Sequence, residues 1–192
     1  MNRILLLETI KIEDGQVVNI DWHNKRCNQS RLELFGEEKK IDLNNSIKAP
    51  KEGLYRCRIV YDKEIKFIEY IPYKPKKITS FKIIKSQLDY AYKFNDREAL
   101  NRLHRKDYDE IIIEKSGFLT DTTIANIAFY TQEGWITPKT PLLKGTVRAK
   151  LLYENHLIEK NIRKEEITNF SHFALMNAMI GFQIQKNVTI RL

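Results

Sequence analysis

Apolar and polar residues alternate over residues 3–12 and again over 16–20, with Glu13, Asp14 and Gly15 between them. Alternation marks a strand with one buried face, and Asp-Gly is a strong hairpin signal, so a β-hairpin is predicted at the start. From Asp21 the period lengthens to that of a helix. Trp22, Cys27, Leu32, Leu34 and Phe35 fall on or near one face, with Asp21 placed to cap the start and Gly36 to stop the end. The polar stretch 37–46 reads as a second short helix or a loop. Residues 53–61 (GLYRCRIVY) and 65–72 form a second predicted hairpin around Asp62, Lys63 and Glu64. Strands with one helix on them make an α+β domain of about 85 residues, an acceptable size for a small domain.

Pro72 and Pro75 mark a basic turn before the strand TSFKIIKS. Residues 87–92 read as a connection, which divides the chain into a small N-terminal domain, 1–88, and a C-terminal domain, 89–192. A helix is predicted over 98–105, capped at Asn95 or Asp96. Residues 110–114 read as a buried strand, Lys115, Ser116 and Gly117 as a turn, and 118–130 as one returning strand. Glu133 and Gly134 turn the chain into WITP. Residues 146–159 carry a helical pattern that buries Val147, Leu151, Leu152, Leu157 and Ile158. Ile162 and residues 173–176 read as strand or core, and the last ten residues as a terminal strand.

With 192 residues, 42% hydrophobic and 30% charged, the chain can bury a core and shows no disordered or repetitive segment. The apolar run at the N-terminus breaks at Glu8, too early for a signal peptide or membrane span. Cys27 and Cys57 have no metal or redox spacing, and the four histidines have no ligand spacing. A reduced, cytoplasmic protein with no metal and no membrane association is expected. The net charge of +8 raises nucleic acid as a partner. The basic clusters are small, such as KPKK at 74–77, acidic residues interleave elsewhere, and no basic stripe carries interleaved aromatics. A solvated basic surface that draws in an anionic substrate is the better reading, with no nucleic acid.

Candidate chemistry lies between Tyr92 and Val147. Lys93 and Arg97 stand in KFNDR, Asp121 follows an apolar run, and Gly145 opens the predicted helix. An amine, an acid and a helix start that accepts phosphate are the groups needed to hold pyridoxal 5′-phosphate. Taken singly, each has a plainer role: a solvated lysine, a turn aspartate, an N-cap glycine.

Five segments occur in a telling order: LLETIKIEDGQVVNIDWHNKR, the Lys93 block, LTDTTIANIAF, ITPKTPLLKGTVR and ALMNAMIGF. On these the chain resembles, over almost its whole length, the class IV (fold type IV) pyridoxal-phosphate enzymes. That family includes 4-amino-4-deoxychorismate lyases, branched-chain aminotransferases and D-amino-acid aminotransferases. The resemblance implies an α/β fold of two α+β domains, like D-amino-acid aminotransferase, with the cofactor between them and a homodimer as the assembly. It implies Lys93 as the catalytic Schiff-base lysine and Arg26, in His-x-x-Arg, as the phosphate arginine. Gly145, Thr146 and Val147 would form the turn whose N–H groups cradle the phosphate. Asp121 would meet the pyridine nitrogen where the family usually carries glutamate, one methylene longer.

For a small anionic amino substrate, Arg97, Asn177 and Ala178 are the implied contacts, with Arg56, Arg58 and Arg148 as further candidates for its carboxylates. Two more departures stand out. The chain begins directly at the Glu-Thr-Ile strand, so part of the pocket wall is expected to be missing or replaced by a partner subunit. The tyrosine that many aminotransferases place soon after the lysine is absent. The Asn-Ala pair at Asn177 and Ala178 resembles the lyases more than the aminotransferases. The expected activity is therefore release of pyruvate from aminodeoxychorismate to give 4-aminobenzoate. A class IV amino-acid aminotransferase is the alternative, and a non-catalytic relative a further one.

Overall fold

The computed structural model describes residues 4–192. The first residue of the predicted opening strand, Arg3, lies outside them. The chain forms two compact units: Met1–Pro75 with Tyr92–Asp96, and Lys76–Ala91 with Arg97–Leu192. A single cut after residue 88 would place Lys93 in the second unit; its contacts place it in the first.

In the first unit the opening hairpin comprises β1 (Leu6–Glu13) and β2 (Gln16–Val17). Asp14 and Gly15 turn with φ of 47° and 81°, the left-handed pair that an Asp-Gly hairpin needs. Helix α1 (Ile20–Phe35) starts one residue before the predicted cap, after a left-handed Asn19, and stops at a left-handed Gly36. A 3-10 turn, Leu43–Ser46, precedes the hairpin of β3 (Leu54–Tyr61) and β4 (Ile65–Pro72). The sheet order is β2-β1-β3-β4, antiparallel throughout. Its core joins Leu6, Ile10, Ile12, Cys57, Ile59 and Tyr61 to Cys27 and Leu43. Both cysteines are free and buried.

The buried stripe of α1 differs from the predicted one. His23, Cys27, Ser30 and Arg31 are buried, whereas Leu32 is 45% exposed. Polar residues can occupy that stripe because each charged head finds partners. Arg31 donates to the carbonyls of Lys39 and Lys63 and to Asn28 Oδ1.

The second unit is built on a nine-stranded sheet. Its strands are β5 (Ser80–Lys85), β6 (Glu110–Lys115), β7 (Phe118–Thr122), β8 (Asn126–Thr131), β9 (Gly134–Pro138), β10 (Ile158–Lys160), β11 (His172–Asn177), β12 (Gly181–Gln185) and β13 (Thr189–Arg191). They run β10-β9-β8-β7-β6-β5-β13, with β11 paired to β8 and β12. Phe81, Ile83, Ile112, Leu119, Ile127, Phe129 and Phe173 are among the buried core residues, and the Phe81 and Phe173 rings meet edge-on at 5.2 Å.

Four sequence expectations are corrected here. The strand predicted over 118–130 is two strands. The Thr122 hydroxyl accepts the N–H groups of Ile124 and Ala125 and donates to the Ala125 carbonyl, making a tight turn inside an apolar run. Helix α2 (Glu98–Asn101) is a single turn, and its N-cap is Arg97. Helix α3 (Thr146–Tyr153) ends before a left-handed Asn155, so Ile158 begins β10 and is 41% exposed. Left-handed backbone at Asn187 likewise divides the C-terminal stretch into β12 and β13.

Candidate active site

Lys93 lies in a short segment laid along β1. Its carbonyl accepts the Leu7 N–H at 2.8 Å, Phe94 bridges Leu6 in antiparallel register, and the Asn95 N–H donates to the Leu5 carbonyl at 2.9 Å. Tyr92 and Phe94 pack on the first unit's core, and the Phe94 N–H closes a tight turn around Lys93 by donating to the Tyr92 carbonyl at 2.9 Å. These backbone bonds and two aromatic anchors thus fix the lysine's main chain before any ligand is considered.

Beside it is a network that sequence reasoning did not assign. Glu8 sits on β1 at an inward position, between Leu6 and Ile10, and is wholly buried. Arg26, on α1, grips it with two bonds: Nε to Oε1 at 2.8 Å and Nη2 to Oε2 at 2.6 Å. His23, one turn earlier on the same helix face, donates from Nδ1 to Oε2 at 2.6 Å and is also wholly buried. Burial pushes the Glu8 carboxyl up, but the Arg26 charge and the bonds from His23 and Arg26 outweigh it, leaving it at about 2. Burial lowers the His23 pKa. Its bond to Glu8 opposes this, and the positive charges of Arg26 and Lys93 add to the lowering, so His23 is neutral near pH 7. Lys93 and Arg26 therefore share one electrostatic neighbourhood.

In the second unit, Asp121 is buried on β7. Its Oδ1 accepts Asn126 Nδ2 at 2.7 Å, and its Oδ2 accepts the Leu143 N–H at 2.8 Å. Asn126 Nδ2 also donates to the Leu143 carbonyl at 2.8 Å. The turn at Thr122–Ala125 makes this possible by folding Asn126 back opposite Asp121 in the ladder. Burial pushes the Asp121 pKa up to about 7, against the lowering effect of its two bonds and of Arg148. Asn126 was missed in the sequence. Its signal was an asparagine opening the apolar run that follows a turn of two threonines.

Gly145 is the N-cap of α3, and no side-chain cap bond forms there. Its φ of −70° suits any residue. Glycine is required instead by space, because a Cβ would collide with Asn126 Oδ1 and stand 3.2 Å from its Cγ. Thr146 is buried, and Val147 packs beside Ala128 and Met176.

The expected substrate residues are placed less directly. Arg97 donates to the Thr123 carbonyl at 2.6 Å, and Asn177 Nδ2 to the next carbonyl, Ile124, at 3.2 Å. Asn177 Oδ1 accepts the N–H groups of Met179 and Ile180, a turn role that also orders Ala178 between β11 and β12. Arg97 and Asn177 thus both brace the turn that follows Asp121. Arg58 pairs with Glu69 and reaches Asn95 Oδ1 at 3.3 Å. Arg148 is buried against the Pro138 carbonyl and Glu159. The Arg56 Nε is buried with no partner among the described residues.

Taken unit by unit, the groups present are of the kinds that hold pyridoxal phosphate. The first unit offers a lysine and a half-clamped guanidinium; the second offers a buried acid and a helix start with no side-chain cap.

Comparison with known proteins gives the enzyme class. Residues 89–187 match the model of the class IV aminotransferases, and the chain belongs to this family, whose fold is fold type IV and whose cofactor is pyridoxal phosphate. A Haemophilus influenzae protein of uncharacterised function is 39% identical over 184 residues, 92% of this chain and 98% of its own length. A crystal structure from Haemophilus somnus, assigned provisionally as a 4-amino-4-deoxychorismate lyase, is 38% identical with a TM-score of 0.85, covering 94% of this chain and 99% of that one. The pyridoxal-phosphate-bound form of a hypothetical aminotransferase from Mycobacterium tuberculosis, 14% identical with a TM-score of 0.78, covers 97% of this chain and 81% of that one and shares the fold. No helix among the described residues is long and apolar enough to cross a membrane.

Proposed function

We propose that the chain binds pyridoxal phosphate through Lys93 and releases pyruvate from aminodeoxychorismate to give 4-aminobenzoate, a folate precursor. The observation that carries the cofactor reading is Asn126, which bonds to Asp121 and also to the turn leading into Gly145. One side chain thereby holds both an acid suited to a ring nitrogen and a helix start suited to a phosphate. The lyase is preferred because the Haemophilus somnus relative, similar over nearly its whole length, carries that provisional assignment. The Asn-Ala pair supports it less than its position in the sequence suggested, since Asn177 is engaged in its own turn.

When bound, the cofactor supplies an electron sink for the carbon that bears the substrate's amine. Lys93 would hold the cofactor through its amine and serve as the base for the proton on this carbon, and its backbone anchors limit how far it strays. Asp121 would meet the ring nitrogen, and Asn126 and the Leu143 N–H orient it by holding both its oxygens. Arg26, and the first-turn N–H groups at Gly145, Thr146 and Val147, are the groups that would hold the phosphate, since a guanidinium and a helix dipole each favour an anion. Arg97, through the Thr123 carbonyl, and Asn177 with Ala178, through the Ile124 carbonyl, shape the wall by Asp121. The working form is a homodimer acting on a small anionic amino substrate.

Aminobenzoate fluorescence, run beside a coupled transamination assay with L- and D-amino acids, tests the reaction. Robust amino transfer to a 2-oxo acid with no aminobenzoate would replace the lyase by the aminotransferase. Neither activity in cofactor-loaded protein would leave a non-catalytic relative.

A further inference from the structure

Glu8 is out of place by the rules of its strand. It stands on the inward row with Leu6, Ile10 and Ile12, at 0% exposure, where an unpaired carboxylate would be strongly disfavoured. It is tolerated through three bonds, two from Arg26 and one from His23. The pair is unequally covered: Glu8 is sealed, while the Arg26 side chain remains 15% exposed. Nε and Nη2 are turned to Glu8, and the remaining amino group, Nη1, has no partner among the described residues. A bidentate bond fixes the plane of a guanidinium, so the open edge has one direction.

We infer that Glu8 is a positioning residue for the cofactor phosphate: braced by His23, it clamps Arg26 so that the open edge of the guanidinium is aimed before the phosphate arrives. The inference rests on the cofactor reading above. Its physical content is preorganisation. A free arginine loses much of its rotamer freedom when it grips a ligand, and the clamp removes that loss in advance. The clamp also has an electrostatic drawback, because a carboxylate close to a phosphate repels it.

The two effects have opposite signs, and this makes the idea testable. If Glu8 serves only folding, replacing it by glutamine removes a negative charge, and phosphate affinity stays level or rises. If Glu8 aims Arg26, phosphate affinity falls although the site has become more positive.

The measurement is the ratio of dissociation constants for pyridoxal and pyridoxal phosphate, read by absorbance titration of purified apo protein. It isolates the phosphate's share of binding and does not depend on turnover. In Glu8→Gln the ratio is expected to fall about tenfold, the scale of one misdirected charge-assisted bond, with pyridoxal affinity unchanged. Arg26→Lys should lower the ratio similarly, and the double variant little further, since both changes remove one unit. Should Glu8→Gln fail to fold, Glu8→Asp keeps the charge, withdraws the carboxylate by one methylene, and should also lower the ratio. An unchanged or raised ratio in the folded Glu8 variants, with Arg26→Lys lowering it, overturns the inference and leaves the cofactor reading standing. Wild-type protein that shows no preference for the phosphate form overturns both.

Discussion

Gly145 and Asn126 approach so closely that the α-carbon of one leaves no room for a side chain beside the amide oxygen of the other. The asparagine is at the same time bonded to Asp121 and to the Leu143 carbonyl. A change at Gly145 is therefore felt at the acid through a single intermediary.

Gly145→Ala should destabilise the protein by about 1–3 kcal/mol, because the backbone angle is permissive and the whole cost is steric. Asn126→Ala removes the obstacle. In urea denaturation the double variant should be clearly less damaged than the sum of the singles. Strict additivity would mean that the two residues do not meet in solution.

Asp121 has an ordinary pKa of 3.8 and a folded value of about 7. Between these values the unfolded chain gives up a proton that the folded chain keeps, so rising pH favours unfolding. The contribution is fully present below pH 3.8 and lost as pH rises through about 7. Asp121→Asn abolishes this dependence but leaves one of two N–H donors without an acceptor. At pH 4 the apo variant should be less stable than wild type by about 1–2 kcal/mol, and by pH 8 the gap should close or invert. Parallel stability profiles would contradict a raised pKa. In turnover the same variant should slow the reaction while cofactor stays bound, since the residues proposed to hold the phosphate are untouched.

Glu8 has the opposite sign. Its folded pKa of about 2 lies below the ordinary 4.5, so its contribution is present above pH 4.5 and lost as pH falls towards 2. Acidification across that range should cost wild type about 2–3 kcal/mol more than Glu8→Gln, measured by chemical denaturation at several acid pH values. Equal losses would show that Glu8 is not paired in the folded state.

Lys93 carries the chemistry or it does not. Borohydride treatment of cofactor-loaded protein should fix the label on the peptide containing Lys93, and Lys93→Ala should lose both label and aminobenzoate formation. A label recovered on another lysine would move the site elsewhere.

Where a local code governs conformation, the sequence was legible. Asp14-Gly15 and Ser116-Gly117 each placed a left-handed turn, Gly36 stopped α1, alternation marked β1, and a hairpin pattern and an apolar run marked β3 with β4 and β6. Local codes were misleading where a single residue turned the backbone, by a side-chain bond at Thr122 and by a left-handed conformation at Asn155. The Thr122 hydroxyl broke an apolar run into two strands, and Asn155 ended α3 early. Neither event has a periodic signature, because each depends on one residue rather than on a pattern.

The sequence by itself determined the family, through the order of the Glu-Thr-Ile strand, His-x-x-Arg, Lys93, Asp121 and Gly145. It also singled out the residues proposed to hold a phosphate and an amine. Only the tertiary structure decided how those residues are supported. Glu8 meets Arg26 across 18 residues, and Leu143 meets Asp121 across 22. Such pairings exist only once strands and helices have packed. A buried charge accepts whichever partner the fold delivers, and no spacing along the chain announces which one that is.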